Sequence, residues 1–231
     1  MLLKSSHNQV KSRERVANHG EVFTSEKEVN NMLDLVKHET ERIDSRFLEP
    51  ACGNGNFLAE ILKRKLDVVY KKYSIKLADY EKFSILAIMS IYGVDILEDN
   101  VEDCKNRLYN IWKEYYKLTA SKNMNSLLLK TAKYILDKNI LCGDALSMTQ
   151  NNGKPIIFCE WNFVMGNMVK RRDFRLDGLL RDENPNLAET NQMSMFESDV
   201  EWEFDEKTNA RMPSPIKDYP IIDYRKVYEL E

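Results

Sequence analysis

The sequence is poor in the residues that a metal centre, a disulfide scaffold, a membrane span or a polyanion-binding surface would require. It holds four cysteines (Cys52, Cys104, Cys142 and Cys159), no two of them spaced C-x-x-C, and its three histidines (His7, His19 and His38) all fall within the first forty residues. Neither pattern has zinc-ligand spacing, so no metal site is expected, and reduced thiols point to a cytoplasmic protein. No apolar run approaches the eighteen or so residues of a membrane helix, and the polar N-terminus lacks the apolar core of a signal peptide, so no membrane partner is expected. Positive charge is not in excess either. The 34 Lys and Arg face 37 Asp and Glu, for a net charge of -3, so any nucleic acid must be met by a local patch rather than a global field.

What is present suits a globular protein. The chain has 231 residues, 43% of them hydrophobic and 31% charged, enough for one ordinary domain or a core with an appendage. Residues 1–20 are polar and read as a flexible arm. Ser25 followed by Glu28 has capping-box spacing, and Val29, Met32, Leu33 and Val36 recur behind it at helical intervals. Residues 46–49 (Arg-Phe-Leu-Glu) read as a buried strand feeding a tight loop. Residues 57–66 and 67–90 read as helical, 91–96 as a second strand and 99–118 as an amphipathic helix. Residues 126–138 read as a further helix, 140–141 as a short third strand and 156–165 as a fourth. Strands alternating with helices predict an α/β fold, mainly a parallel sheet with helices on both faces and right-handed crossovers. The domain is expected over 21–180. A polar tail follows over 181–231, with an apolar docking segment at its end (Ile221, Ile222, Val227 and Leu230).

The most informative string is Phe47-Leu48-Glu49-Pro50-Ala51-Cys52-Gly53-Asn54-Gly55-Asn56-Phe57-Leu58. Two glycines allow a tight turn between strand and helix and bring the backbone close to a ligand. A dinucleotide loop would have a third glycine, and Asn56 stands there instead. Glu-Pro before the glycines and Phe-Leu after them suit a ligand with an amino-acid end and an adenosine end, with Glu49 toward an ammonium. Asp95, in Tyr92-Gly93-Val94-Asp95-Ile96, stands where a carboxylate can accept from both ribose hydroxyls; the alternative is a helix cap. Gly143-Asp144-Ala145-Leu146 places another acid at the tip of the third strand, within reach of an adenine amino group, or else marks an ordinary turn.

Together these strings resemble the class I S-adenosylmethionine-dependent methyltransferases. The likeness is greatest to the DNA N6-adenine methyltransferases of bacterial restriction–modification systems, of the gamma type or the type I modification subunits. It spans about residues 18–167 and includes Gly20-Glu21-Val22-Phe23-Thr24-Ser25, similar to that family's N-terminal motif G-E-x-F-T-P with Ser25 in place of the proline. The resemblance implies a Rossmann-like fold and S-adenosyl-L-methionine as cofactor. It implies cofactor contacts at Phe23, Thr24, Glu49, Ala51, Gly53, Gly55, Phe57, Asp95, Ile96, Asp144 and Ala145. It also implies methyl transfer to an exocyclic amino group of a base flipped from the duplex.

The catalytic string departs from the family. Where it has N-P-P-Y, this chain has Asn167-Met168-Val169-Lys170, so Asn167 is the candidate catalytic residue without the prolines or the stacking aromatic. Gly166-Asn167 equally suits a two-residue hairpin turn between antiparallel strands. Residues 171–231 are short and polar for the remaining strands and a target-recognition region. The fold is therefore expected to be incomplete in its C-terminal half, as in a truncated relative or one part of a split enzyme with a second subunit. Lys170-Arg171-Arg172, with Arg175, is the dense cationic run and the candidate contact to DNA phosphates; the alternative is a solvated cluster balanced by Asp173 and Asp177. Trp161, Phe163 and Phe174 are candidates for base stacking or for the core. The competing functions are a DNA methyltransferase, a non-catalytic cofactor-binding subunit, a purely structural relative, and a methyltransferase of protein or RNA.

Overall fold

The computed structural model describes residues 11–19, 21–121, 123–179, 202–205 and 210–231. Gly20, the first ten residues of the expected arm, and 181–201 and 206–209 of the expected tail lie outside them.

The N-terminal part is helical: α1 (Arg13–His19), α2 (Glu26–Asp34) and α3 (Lys37–Thr40). The expected arm is thus corrected over 13–19. Arg15 on α1 is fixed by ion pairs to Glu21 and Asp99, and Lys11 by Asp99 and Asp103, so this stretch is held against the body. The capping box forms at α2: the Ser25 hydroxyl accepts from the Glu28 N–H, and the Glu28 carboxylate accepts from the Ser25 N–H.

The parallel unit follows as β1 (Phe47–Glu49), α4 (Asn56–Tyr73), α5 (Leu77–Met89), β2 (Ile91–Asp95), α6 (Glu98–Ala120), α7 (Ser126–Asn139) and β3 (Ile140–Cys142). The strands lie in the order β1-β2-β3, all parallel, with Glu49 opposite Gly93 and Asp95 opposite Cys142. Side chains alternate between faces along a strand. Gly93 faces α4, where an added Cβ would lie 2.9 Å from Leu58. A core of fully buried apolar side chains from α4, α5, α6 and α7 includes Leu58, Leu62, Leu66, Ile85, Leu108, Trp112 and Ile135.

Four further strands, β4 (Ile157–Met165), β5 (Met168–Arg175), β8 (Lys217–Asp218) and β9 (Ile222–Asp223), form a separate antiparallel sheet built on the β4–β5 hairpin. Between them in the chain lie α8 (Leu176–Leu179) and the pair β6 (Trp202–Asp205) and β7 (Ala210–Pro213). The last described element is a 3-10 turn, Tyr224–Glu229, whose Tyr224 and Val227 are buried and which packs on α7, while Ile221 is exposed.

Two expectations are corrected here. The fourth strand does not extend the parallel sheet, and the second face of that sheet is covered by the hairpin rather than by helices. Tyr92, on the opposite face from Gly93, packs edge-on against Phe158 with ring centroids 5.4 Å apart and donates its hydroxyl to the Cys159 carbonyl at 2.8 Å. Strand β5, zipped to β4 over its whole length, supplies the backbone partners that a neighbouring parallel strand would otherwise give.

Candidate functional site

The carboxyl ends of β1, β2 and β3 form one rim, and the candidate cofactor residues meet there. Beyond β1, the loop stays in register with β2 through a 2.8 Å bond from the Cys52 N–H to the Val94 carbonyl. It closes on itself where the Gly55 N–H reaches the Cys52 carbonyl at 2.8 Å. Beyond β3, the Gly143 N–H reaches the Asp95 carbonyl at 2.9 Å.

Glycine is required at the loop for two separate reasons. Gly55 has φ +83°, and a Cβ there would lie 2.6 Å from the Cys104 sulfur. Gly53 has φ +51°, and a Cβ there would lie 3.0 Å from the ring of Phe23. The ring of Phe23 therefore lies against the loop at Gly53. Gly55 begins α4 without a side-chain cap.

Asp95 is tied into this rim. Its Oδ2 accepts from the Gly53 N–H at 2.8 Å, and its Oδ1 accepts from the Leu97 N–H at 2.9 Å and from the Asn100 amide at 3.3 Å. Three of a carboxylate's roughly four acceptor sites are thus used within the protein. The helix-cap alternative does not form, since α6 begins after Leu97 without a side-chain cap; Asp95 makes a short turn onto the Leu97 N–H while it holds the loop.

Glu49 is different. It is half-buried, its one described bond is from the Ala51 N–H at 3.3 Å, and no described cation pairs with it. Burial raises its pKa, with that backbone bond opposing. Such a carboxylate suits a ligand's ammonium group.

Ile96 and Leu146 stand exposed beside the rim, Leu146 at 90%. Asp144 makes a turn of its own, accepting from the Leu146 N–H at 2.9 Å, which lowers its pKa. Ala145 and Phe57 are partly buried against the core. Ala51 is exposed at the mouth of the loop.

Local patterning gave no sign of several residues that join the rim together. The Asn56 amide donates to the Thr24 carbonyl at 2.8 Å, while its oxygen accepts from Arg107 of α6 at 2.5 Å. The Asn100 amide bridges Glu21, at 2.6 Å, to Asp95. Asn56 was visible in sequence only as the residue replacing a third glycine. Asn100 becomes visible only once β2 and α6 are known to meet.

The candidate catalytic and DNA-binding residues are not brought to this rim. Strand β4 runs antiparallel to β1–β3. The Cys159 carbonyl accepts from the hydroxyl of Tyr92, the second residue of β2. Trp161 donates at 2.9 Å to Asn139, whose amide bonds to the carbonyl of Ile91 at the start of β2. Asn162 accepts at 3.0 Å from Arg46, which precedes β1. Five residues further on, the turn at Gly166-Asn167 has passed beyond the amino ends of the parallel strands. It is held by Lys82 of α5, which donates to the Gly166 carbonyl at 2.5 Å. Asn167 is exposed there, and its backbone carbonyl accepts from the Tyr224 N–H at 2.9 Å. The hairpin alternative therefore holds, and Asn167 is separated from the loop by the length of the sheet.

The cationic run is neutralised. Arg171 is 3% exposed, forms a two-pronged pair with Asp173 at 2.7–2.8 Å, and stacks 4.1 Å over the Tyr219 ring. Arg172 pairs with Glu160 at 2.6 Å and Lys170 with Asp218. Along a strand, alternate residues face opposite sides, so three consecutive basic residues cannot form one patch. Trp161 and Phe174 are buried, and Phe163 packs on Tyr224, which places all three in the core.

Fold and rim together define an α/β unit with a parallel sheet and a prospective ligand site at the strands' carboxyl ends, the usual position in open α/β sheets. Among known proteins, the chain is 28% identical over 131 residues to a polypeptide of Methanocaldococcus jannaschii named as a provisional type II restriction enzyme and methyltransferase. That match covers 54% of this chain and only 11% of the relative. No family model and no solved structure matches the chain. Among the described residues, no helix is long and apolar enough to cross a membrane, and no cluster of His, Cys, Asp and Glu could hold a metal ion.

Proposed function

We propose that this chain binds S-adenosyl-L-methionine at the rim of β1, β2 and β3 and serves as the cofactor-binding component of a restriction–modification DNA methyltransferase acting on adenine N6. The observation that carries the reading is the joint placement of Glu49, Gly53, Gly55 and Asp95 on one rim, with Phe23 against the loop at Gly53. The likeness to a restriction enzyme and methyltransferase polypeptide supports the same reading. So does the chemistry of the residues: Glu49, with no cation partner among the described residues, offers a carboxylate for the ammonium of the methionine end. Asp95 reaches a sugar hydroxyl by its remaining acceptor site or by giving up its bond from Asn100.

The cofactor supplies an activated methyl group, and its transfer is a direct displacement: the amino nitrogen forms the new bond to carbon as the carbon–sulfur bond breaks. The protein's task in such a step is alignment more than acid–base chemistry. The residues that hold the target amino group are, in this reading, contributed by another part of the enzyme or by a partner subunit. A second reading, a cofactor-binding regulatory subunit with no catalysis, draws on the remoteness of Asn167.

Titration calorimetry with S-adenosylmethionine tests the binding claim. Saturable binding is expected, weakened at least tenfold by Glu49→Gln; no binding at all would sink both readings. Transfer of a labelled methyl group to DNA, by the chain alone and with candidate partner subunits, then separates them: incorporation supports the enzyme, and its absence under all conditions supports the regulatory subunit.

A further inference from the structure

The run of basic residues visible in the sequence is spent on carboxylates, yet a different set of cations is left over. On α6 and α7, Lys113 and Lys133 approach the ring of Tyr109 from two helices, each with Nζ 5.9 Å from its centroid. One turn before Lys133, Lys130 lies 5.7 Å over the ring of Tyr228 on the C-terminal 3-10 turn. Lys117, one turn beyond Lys113, and Lys226, on the same 3-10 turn as Tyr228, extend the set. Lys117, Lys130, Lys133 and Lys226 are exposed and Lys113 is half-buried. Among the described residues, none of these five has a carboxylate within ion-pair distance. Lys105 beside them is matched by Asp137 at 3.3 Å.

Many described cations elsewhere are paired, Arg15, Arg46, Arg64, Arg171, Arg172 and Arg225 each having an acid within 4 Å, although others, such as Lys71 and Lys72 on α4, are not. In a chain of net charge -3, Lys113, Lys130 and Lys133 are gathered from two helices, with Lys117 and Lys226 on adjoining turns and Glu114 as the acid among them on α6, so positive charge is locally in excess. Holding like charges together costs free energy, which a polyanion would relieve. The interleaved tyrosines keep three of the ammonium groups near the surface, because Lys113, Lys130 and Lys133 lie against a ring rather than reaching across to an acid.

We infer that this α6–α7 face, not the Lys170–Arg172 run, is where the chain contacts the phosphate backbone of duplex DNA. The spacing suits backbone contact: several ammonium groups on two roughly antiparallel helices, with no base-reading amide or guanidinium among them. The choice of DNA as the polyanion rests on the proposed function; the field itself does not.

The test is fluorescence anisotropy of the full chain with a labelled duplex between 50 and 200 mM salt. Wild type is compared with the triple variant K113A/K130A/K133A and with the control K170A/R172A. Wild-type affinity should fall with salt. In the triple variant the slope of log affinity against log salt should be smaller by about one for each lysine removed, and binding at 50 mM salt should weaken at least tenfold. The control should match wild type. No binding by wild type, or equal binding by the triple variant, would overturn the inference. So would stronger competition by single-stranded RNA or polyglutamate than by duplex. Melting curves of both variants check that the substitutions leave the fold intact. Calorimetry with S-adenosylmethionine on the triple variant should be unchanged, so a failure of this face and a failure of the cofactor site are distinguished.

Discussion

At the carboxyl end of the parallel sheet, Asp95 and Asn56 reach backbone groups of the loops as well as other side chains; in the hairpin, the basic side chains are taken up by acids. Asp95 accepts from the N–H groups of Gly53 and Leu97, Asn56 donates to the carbonyl of Thr24, and Glu49 has no described cation. On the hairpin, Arg171 meets Asp173, Arg172 meets Glu160 and Lys170 meets Asp218. The first pattern shapes loops and leaves acceptor capacity for a ligand. The second consumes its own charge and fixes a sheet in place. Identical residue types thus serve binding or architecture according to what lies opposite them.

The contrast can be broken most forcefully at Arg171. Replacing it by alanine strands Asp173 in the interior and is expected to destabilise the fold by about 3–5 kcal/mol in urea titration, whereas Arg172→Ala should cost under about 1 kcal/mol. Equal, small losses would mean that the hairpin's charges are solvated after all.

At the opposite rim, Gly55→Ala combines left-handed backbone strain with a clash against Cys104. A loss of about 2–4 kcal/mol is expected. If the substitution proved neutral, the loop would not have the close approach on which the site depends.

A milder effect comes from Lys65, buried on α4 beneath the amino end of the sheet. Its ammonium bonds to the carbonyls of Ile43 and Ser45 and to the Ser90 hydroxyl, and burial lowers its pKa from 10.5 to about 7. Between those values the unfolded chain binds more protons than the folded one, so stability should rise with pH. The slope should be at most about 1.4 kcal/mol per pH unit. Lys65→Met should flatten that rise in denaturation curves taken at pH 7 to 10; an unchanged slope would assign it to other groups.

The smallest effect is expected at Asn167. Its alanine variant should shift stability by less than about 0.5 kcal/mol, because among the described residues only its backbone carbonyl is engaged, and should leave S-adenosylmethionine binding unchanged. Loss of cofactor affinity in that variant would place the turn near the rim and erase the contrast between the two ends.

Much of the rim was legible in advance because its signals are local. The strand, the two glycines and the first turn of α4 are contiguous, the capping box at Ser25 spans three residues, and the acid of β2 closes its own strand. The apolar periods of α6 and α7 likewise announce their buried faces. The helix over 13–19 was hidden because the partner that fixes Arg15, Asp99, lies more than eighty residues away. The fate of the basic run was hidden in the same way, since Glu160 and Asp218 become its neighbours only through strand pairing.

By itself, then, the sequence determined the periodic elements, the parallel β–α alternation and the glycine turn, all properties of backbone sterics and short-range hydrophobic spacing. Only the tertiary structure decided the direction of β4, the remoteness of Asn167 and which cations keep a free charge. Those depend on hydrogen bonds and ion pairs between segments distant in the chain, whose energies exist only once folding has set the partners side by side.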